Sequence, residues 1–160
     1  MSLTLVITRH AKSDWHTGAS SDHERPLNGR GLKEASALGK LLTQNGFTPT
    51  LILSSDARRT EETALLMEPV FREVELQFLH SLYLGDFKDI RHAVLTHGGD
   101  HKAIMVLGHN PGFSVAAALM SGKAVELKTA CAAVLTSGQS DWEAAFLTKN
   151  FELSALLEGR

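Results

Sequence analysis

Arg9 and His10 stand side by side at the end of the apolar run Leu3 to Ile7, and two later apolar runs end in a similar way. Arg58 and Arg59 follow Leu51-Ile52-Leu53, and His109 follows Ile104 to Leu107. A guanidinium binds two oxygens of an oxyanion at once and stays charged at any working pH, while an imidazole is an uncharged nitrogen nucleophile close to neutrality. Phosphoryl transfer asks for that pair, because its transition state spreads negative charge over equatorial oxygens that fixed donors must meet. Arg9 and Arg59 read as clamps, His10 as nucleophile, and His109 as a further donor whose charge a bound anion would favour. The second ring nitrogen of His10 should donate to a carbonyl or carboxylate, which would fix the tautomer that attacks.

Three apolar strands ending in such residues imply a single site at the carboxyl edge of a mostly parallel sheet, where open α/β folds place ligands. Leu3 to Thr8 suits a strand covered on both faces, followed by a polar loop from about Ala11 to Asn28. Leu32, Ala35, Leu38, Leu41 and Leu42 recur at helical spacing before Gly46. Leu51 to Leu53 reads as a strand, Asp56 to Glu68 as a helix stopped by Pro69, and Glu73 to Leu79 as a strand near an edge. Phe87 to Thr96 reads as a helix, His97 to Asp100 as a turn, Ala103 to Leu107 as a strand and Gly112 to Met120 as a helix. A strand lies within Leu127 to Thr136, which Trp142 to Leu147 joins as a hairpin at the sheet edge, and Leu153 to Leu157 forms a short closing helix. The alternation predicts an α/β fold, a three-layer αβα sandwich with a mostly parallel central sheet and an antiparallel edge, as one domain over residues 1–160.

With 160 residues and a formal net charge of −2, the chain lacks the basic excess that binding to nucleic acid or an anionic membrane requires. The first apolar run is too short for a signal peptide or a membrane span, which gives the expectation of a soluble, cytoplasmic protein. Cys131, alone in ACAAVL, reads as a buried reduced thiol. No cysteine pair, phosphate-binding glycine loop or dinucleotide fingerprint occurs, so no cofactor is invoked. His97, Asp100 and His101 cluster in a glycine-rich turn without a fourth ligand, and no metal is expected there. His16, His23, His80 and His92 show no partner pattern and read as solvent-facing.

Each signal has a plainer explanation. An Arg-His dipeptide is usually surface decoration, Arg58 and Arg59 in RRTEE could pair with Glu61 or Glu62 on a solvated helix face, and His109 in GHNPG could be a turn residue. Their coincidence at three strand ends carries the argument.

These residues resemble the histidine phosphatase superfamily, also called the phosphoglycerate-mutase-like or RHG superfamily, and within it the SixA-type phosphohistidine phosphatases. The resemblance covers nearly the whole chain. LVITRHAKSDW is similar to the family's opening strand and signature loop, which implies phosphate binding by Arg9, a nucleophile at His10 and a small polar phosphate contact at Ser13. RPLNGRG resembles the segment leading into the first helix, SSDARRTEETA the second arginine motif, with its arginine at Arg59, and VLGHNPG the second histidine at His109. Ala11 stands where the wider family has glycine, a substitution associated with the phosphohistidine branch. The family's acidic proton donor has no firm counterpart; Asp86, Asp22 and Asp14 are the candidates.

The resemblance implies a cofactor-independent phosphohydrolase working through a covalent phosphohistidine. The short stretch between Met67 and Ala103, where larger relatives insert a cap, implies an open site that admits a phosphorylated protein of the histidine phosphotransfer type. The alternatives are a phosphatase of a small phosphoester and a noncatalytic phosphate-binding module.

Overall fold

The computed structural model describes residues 2–15 and 18–160. Six strands form one sheet: β1 (Leu3–Arg9), β2 (Leu51–Ser55), β3 (Glu75–Leu79), β4 (Ala103–Gly108), β5 (Cys131–Ser137) and β6 (Glu152–Glu158). Their spatial order is β3-β2-β4-β1-β5-β6. β3, β2, β4 and β1 run parallel, whereas β5 and β6 add antiparallel pairs on the other side of β1. The helices are α1 (Gly29–Gln44), α2 (Arg58–Phe71), α3 (Phe87–His97), α4 (Gly112–Ser121) and α5 (Trp142–Thr148), with one 3-10 turn at His80–Leu82.

Side chains alternate across a strand, so each central strand feeds two cores. Leu5, Ile7, Leu51, Leu53, Ile104 and Val106 face one core with Phe113, Ala117 and Ile90 of α4 and α3 and with Phe146 of α5. Val6, Ile52, Met105 and Leu107 face the other, against Leu38 and Leu42 of α1 and Ala64 and Met67 of α2. This is the three-layer α/β sandwich with a mostly parallel sheet and an antiparallel edge.

Four local expectations are corrected. α2 runs through Pro69 to Phe71 instead of stopping at Glu68. A helix-interior proline removes one hydrogen bond, but Met67 and Phe71 are both buried against the second core and hold the last turn in place. Trp142 to Leu147 is helix α5, not a hairpin strand: the Asp141 carboxylate accepts from the Ala144 N–H at 2.8 Å, and Trp142, Ala145 and Phe146 fall on one buried face. Leu153 to Leu157 belongs to strand β6, not a helix. Its exposure alternates residue by residue, and it pairs antiparallel with β5 to form the sheet edge. Leu32, part of the helical spacing in α1, points to solvent, while Ala35, Leu38 and Leu42 carry the buried face.

All elements between Met67 and Ala103 belong to the sandwich. β3 lies at one edge of the sheet, and α3 buries Ile90, Ala93 and Val94 in the first core. Cys131 is a free, buried thiol. Among the described residues no helix is long and apolar enough to cross a membrane.

Candidate active site

Arg9 and Gly108 are register partners at the ends of β1 and β4, so the next residues, His10 and His109, leave the sheet side by side. Neighbouring strands lie ~4.8 Å apart, and the two imidazole centroids are 5.4 Å apart. Hydrogen bonds hold the backbone of His10 on both sides, to Gly108 O at 3.2 Å and from Ala130 N at 2.9 Å. β2 completes the row, since Ser54 pairs with Leu107 and Ser55 ends level with Gly108. Ser55 Oγ lies 2.8 Å from His109 Nε2.

The tautomer of His10 follows from its surroundings. Its Nδ1 lies 2.6 Å from the carbonyl of Ala11, which can only accept, so Nδ1 carries the proton and Nε2 keeps its lone pair. Arg59 Nε donates to that Nε2 at 3.3 Å. Burial, opposed by the Ala11 bond but reinforced by His109, Arg59 and Arg9, holds the His10 imidazole well below its ordinary pKa. Burial and Arg59 likewise lower His109 to about 3. Both rings are therefore neutral in the free protein.

Arg59 lies in the first turn of α2 and is only 3 % exposed, whereas Arg58 points to solvent and pairs with Glu62 at 3.3 Å. The Arg59 Nη1 and Nη2 donate to the backbone oxygen and carboxylate of Asp22, at 2.8 and 3.1 Å. Tyr83 OH donates to the same carboxylate at 2.5 Å. Burial raises the Asp22 pKa, but the Tyr83 hydroxyl and Arg59 outweigh it and pull the carboxyl down to about 2. The Tyr83 ring meets His109 edge-on, with centroids 5.4 Å apart.

Arg9 Nη1 donates to Leu127 O at 3.3 Å, and Asn110 Nδ2 donates to the same oxygen at 2.6 Å. Ser114 Oγ in turn donates to Asn110 Oδ1 and accepts from Leu127 N, which ties the loop before β5 to the start of α4. Among the described residues, two polar atoms of the cluster, Arg9 Nε and His109 Nδ1, are buried without a hydrogen-bond partner. Buried polar atoms are nearly always satisfied, so an open Arg9 Nε–H, and an N–H at His109 Nδ1 in the tautomer whose Nε2 accepts from Ser55, suit an oxyanion that supplies the missing acceptors.

The loop that carries these groups is pinned from several directions. Ala11 N donates to Thr63 Oγ1 of α2 at 3.1 Å, and Leu27 N donates to Glu62 Oε1 at 2.8 Å. Asn28 caps α1 and also donates through its backbone to Lys12 O. A side chain at Gly31 would put a Cβ 2.1 Å from that oxygen, and one at Gly112 would put a Cβ 2.0 Å from Gly85 O. Only glycine lets α1 press against the loop after His10, and lets α4 press against the segment bearing Tyr83.

The structure thus brings Arg9, His10, Arg59 and His109 together. Ser13 joins them only at one remove: its hydroxyl accepts from Arg25 Nη1 at 3.2 Å, and Arg25 pairs with Asp22 at 3.0 Å. Of the acidic candidates, Asp22 contacts Arg59. Asp86 is exposed and caps α3 by accepting from Lys88 N and Asp89 N, and Asp14 lies in the loop after β1. Ser55, Thr63, Tyr83, Asn110 and Leu127 escaped the sequence reading. The serine pair closing LILSS and the tyrosine in LYLGD were the available signals. His80 is exposed as expected, but the expectation that His23 and His80 lack partners is corrected, because both bond Asp56, and His23 is half-buried rather than solvent-facing. His92 is exposed, and His16 lies outside the described residues.

Two arginines and two neutral imidazoles thus meet at the carboxyl edge of the central strands of an α/β sandwich, Arg59 reaching it from the first turn of α2. The chain belongs to the histidine phosphatase superfamily (branch 1), whose sequence model matches residues 5–93, more than half of its length. An uncharacterized chloroplastic protein of Arabidopsis thaliana is 36 % identical over 91 % of this chain and 72 % of its own. In fold, the chain is similar to a protein assigned as phosphohistidine phosphatase SixA from Nakamurella multipartitia, with a TM-score of 0.84 at 24 % identity over 98 % of this chain and 96 % of that one. It is also similar to the protein histidine phosphatase SixA complexed with tungstate, with a TM-score of 0.81 at 18 % identity over 98 and 97 % of the two chains.

Proposed function

We propose that this protein is a phosphohistidine phosphatase that removes phosphate from histidine on a protein, with His10 as the nucleophile and no cofactor. The observation that carries the reading is the His10 ring itself: Nδ1 is committed to Ala11 O, and the Nε2 lone pair stands next to the Arg59 fork. In the first step His10 Nε2 forms a bond to phosphorus as the bond from phosphorus to the leaving nitrogen breaks, and the departing imidazole takes up a proton from solvent water. In the second, water attacks the phosphorus as the His10 Nε2–P bond breaks, the water's proton passes to solvent, and inorganic phosphate leaves His10 as the free neutral imidazole. Arg9 and Arg59 hold the equatorial oxygens, and His109 donates from Nδ1.

Two features favour a phosphorylated histidine over an ordinary phosphoester. Asp22, the acidic group nearest the arginines, has its pKa pulled down to about 2 and is ionised in the free site, so it holds no proton for a basic alkoxide. An imidazole leaves with far less help. Around the site, the stretch between Met67 and Ala103 is spent on the sandwich, and Trp15 on the loop before α1 is 66 % exposed with Arg25 stacked at 4.0 Å from its ring. That open, aromatic rim suits a protein surface better than a small metabolite. The test compares kcat/KM for a phosphohistidine-bearing phosphotransfer protein with that for a panel of sugar phosphates and nucleotides. Preference for the protein supports the reading; preference for a metabolite, or phosphate binding without turnover, overturns it.

A further inference from the structure

Outside the arginine and histidine cluster, three more side chains converge by the same register logic. Ser55 and Leu79 are partners at the ends of β2 and β3, so Asp56 and His80, the next residues, emerge together. His23 reaches them from the loop before α1, where the Arg58 N–H donates to its carbonyl at 2.9 Å. His23 Nε2 lies 2.8 Å from Asp56 Oδ1, and His80 Nδ1 lies 3.0 Å from Asp56 Oδ2.

We propose that His23 Nε2, the Asp56 carboxylate and His80 Nδ1 form a binding site for a divalent transition-metal ion of the zinc type. Two imidazoles and one carboxylate are a ligand set that such ions accept, with a fourth position left to water. The three donor atoms all lie within 4.8 Å of one another. Ligands at zinc bond lengths sit roughly 3.4 Å apart in a tetrahedron, so side-chain displacements on the order of 1 Å, centred on the exposed His80, would admit the ion.

The surroundings are those of a metal-binding imidazole. His23 Nδ1 donates toward Glu24 Oε1 at 3.2 Å, which fixes the ring's orientation, while Nε2 donates to Asp56 Oδ1 in the metal-free protein, so an incoming ion displaces the Nε2 proton and takes its lone pair. Tyr83 packs edge-on against the His23 ring with centroids 4.8 Å apart and lies 5.8 Å from the His80 ring, which limits how far either imidazole can turn. The bound ion would fasten the loop that carries Asp22 to the ends of β2 and β3. A simple hydrogen-bonded cluster would use the same contacts but hold no metal.

The probe is Zn²⁺ added to metal-free protein, followed by competition with a chromophoric chelator and by thermal unfolding. One ion should bind per chain and raise the melting temperature. His80 is 76 % exposed, so His80→Gln disturbs little packing, and it should weaken binding by at least ~10-fold and remove the thermal shift. Glu24→Gln should weaken binding by about 10-fold through the His23 ring, whereas His97→Gln with His101→Gln should leave it unchanged. No saturable binding at one ion per chain, or binding that His80→Gln leaves intact, overturns the proposal.

Discussion

Arg59 donates from Nε to His10 Nε2 at 3.3 Å while its two terminal nitrogens grip Asp22. In the free protein the Asp22 backbone oxygen and carboxylate therefore occupy one N–H each of the Arg59 terminal nitrogens. Arg59→Ala should lower kcat by about 10²–10³-fold, the cost typical of losing one preorganised donor to a transition state. Arg58→Ala, which removes only an exposed pair with Glu62, should stay within about twofold of wild type. Steady-state kinetics of both variants check this, and equal losses at the two positions would contradict the assignment.

Ser55 Oγ lies 2.8 Å from His109 Nε2 and is the group that can hold the tautomer leaving Nδ1–H free to donate into the site. For Nδ1 to carry the proton, Nε2 must accept, and the serine hydroxyl supplies that hydrogen. Ser55→Ala should lower kcat by about 10-fold with little change in KM, while Ser55→Thr should recover part of the loss. A change confined to KM would contradict a positioning role.

His10 and His109 are both neutral when folded but protonate near 6.5 once unfolded. Between 6.5 and about 3 the unfolded chain binds a proton at His109 that the native chain does not. Stability is therefore fully present above pH 6.5 and is lost as pH falls through that window, with a slope of about 1.4 kcal/mol per pH unit for each such histidine. Urea unfolding between pH 7.5 and 5 measures the slope. His109→Gln should flatten it, and an unchanged slope would mean that His109 is charged in the native protein.

Much of this architecture is legible in the sequence because the central strands are buried on both faces. LTLVIT, LIL and AIMVLG read as predominantly apolar runs; Arg9-His10 and His109 follow the first and third directly, while Arg59 comes four residues after β2, in the first turn of α2. The short carboxyl-terminal elements were not legible. DWEAAFLT is too brief for periodicity to outvote a nearby turn, and ELSALLE alternates only weakly because Leu156 lies on the exposed side. Tyr83 and Asn110 enter the site through loops whose path depends on packing between distant elements, as with Gly112 against Gly85. The convergence of His23, Asp56 and His80 depends on three separate loops, and no spacing rule in the sequence connects them.

The most direct measurement is a rapid chemical quench during turnover of a radiolabelled phosphorylated substrate, followed by mapping of the labelled residue. The account predicts acid-labile, base-stable phosphate on His10, with both label and activity lost in His10→Ala. Turnover without label on His10, or with label on another side chain, would contradict it.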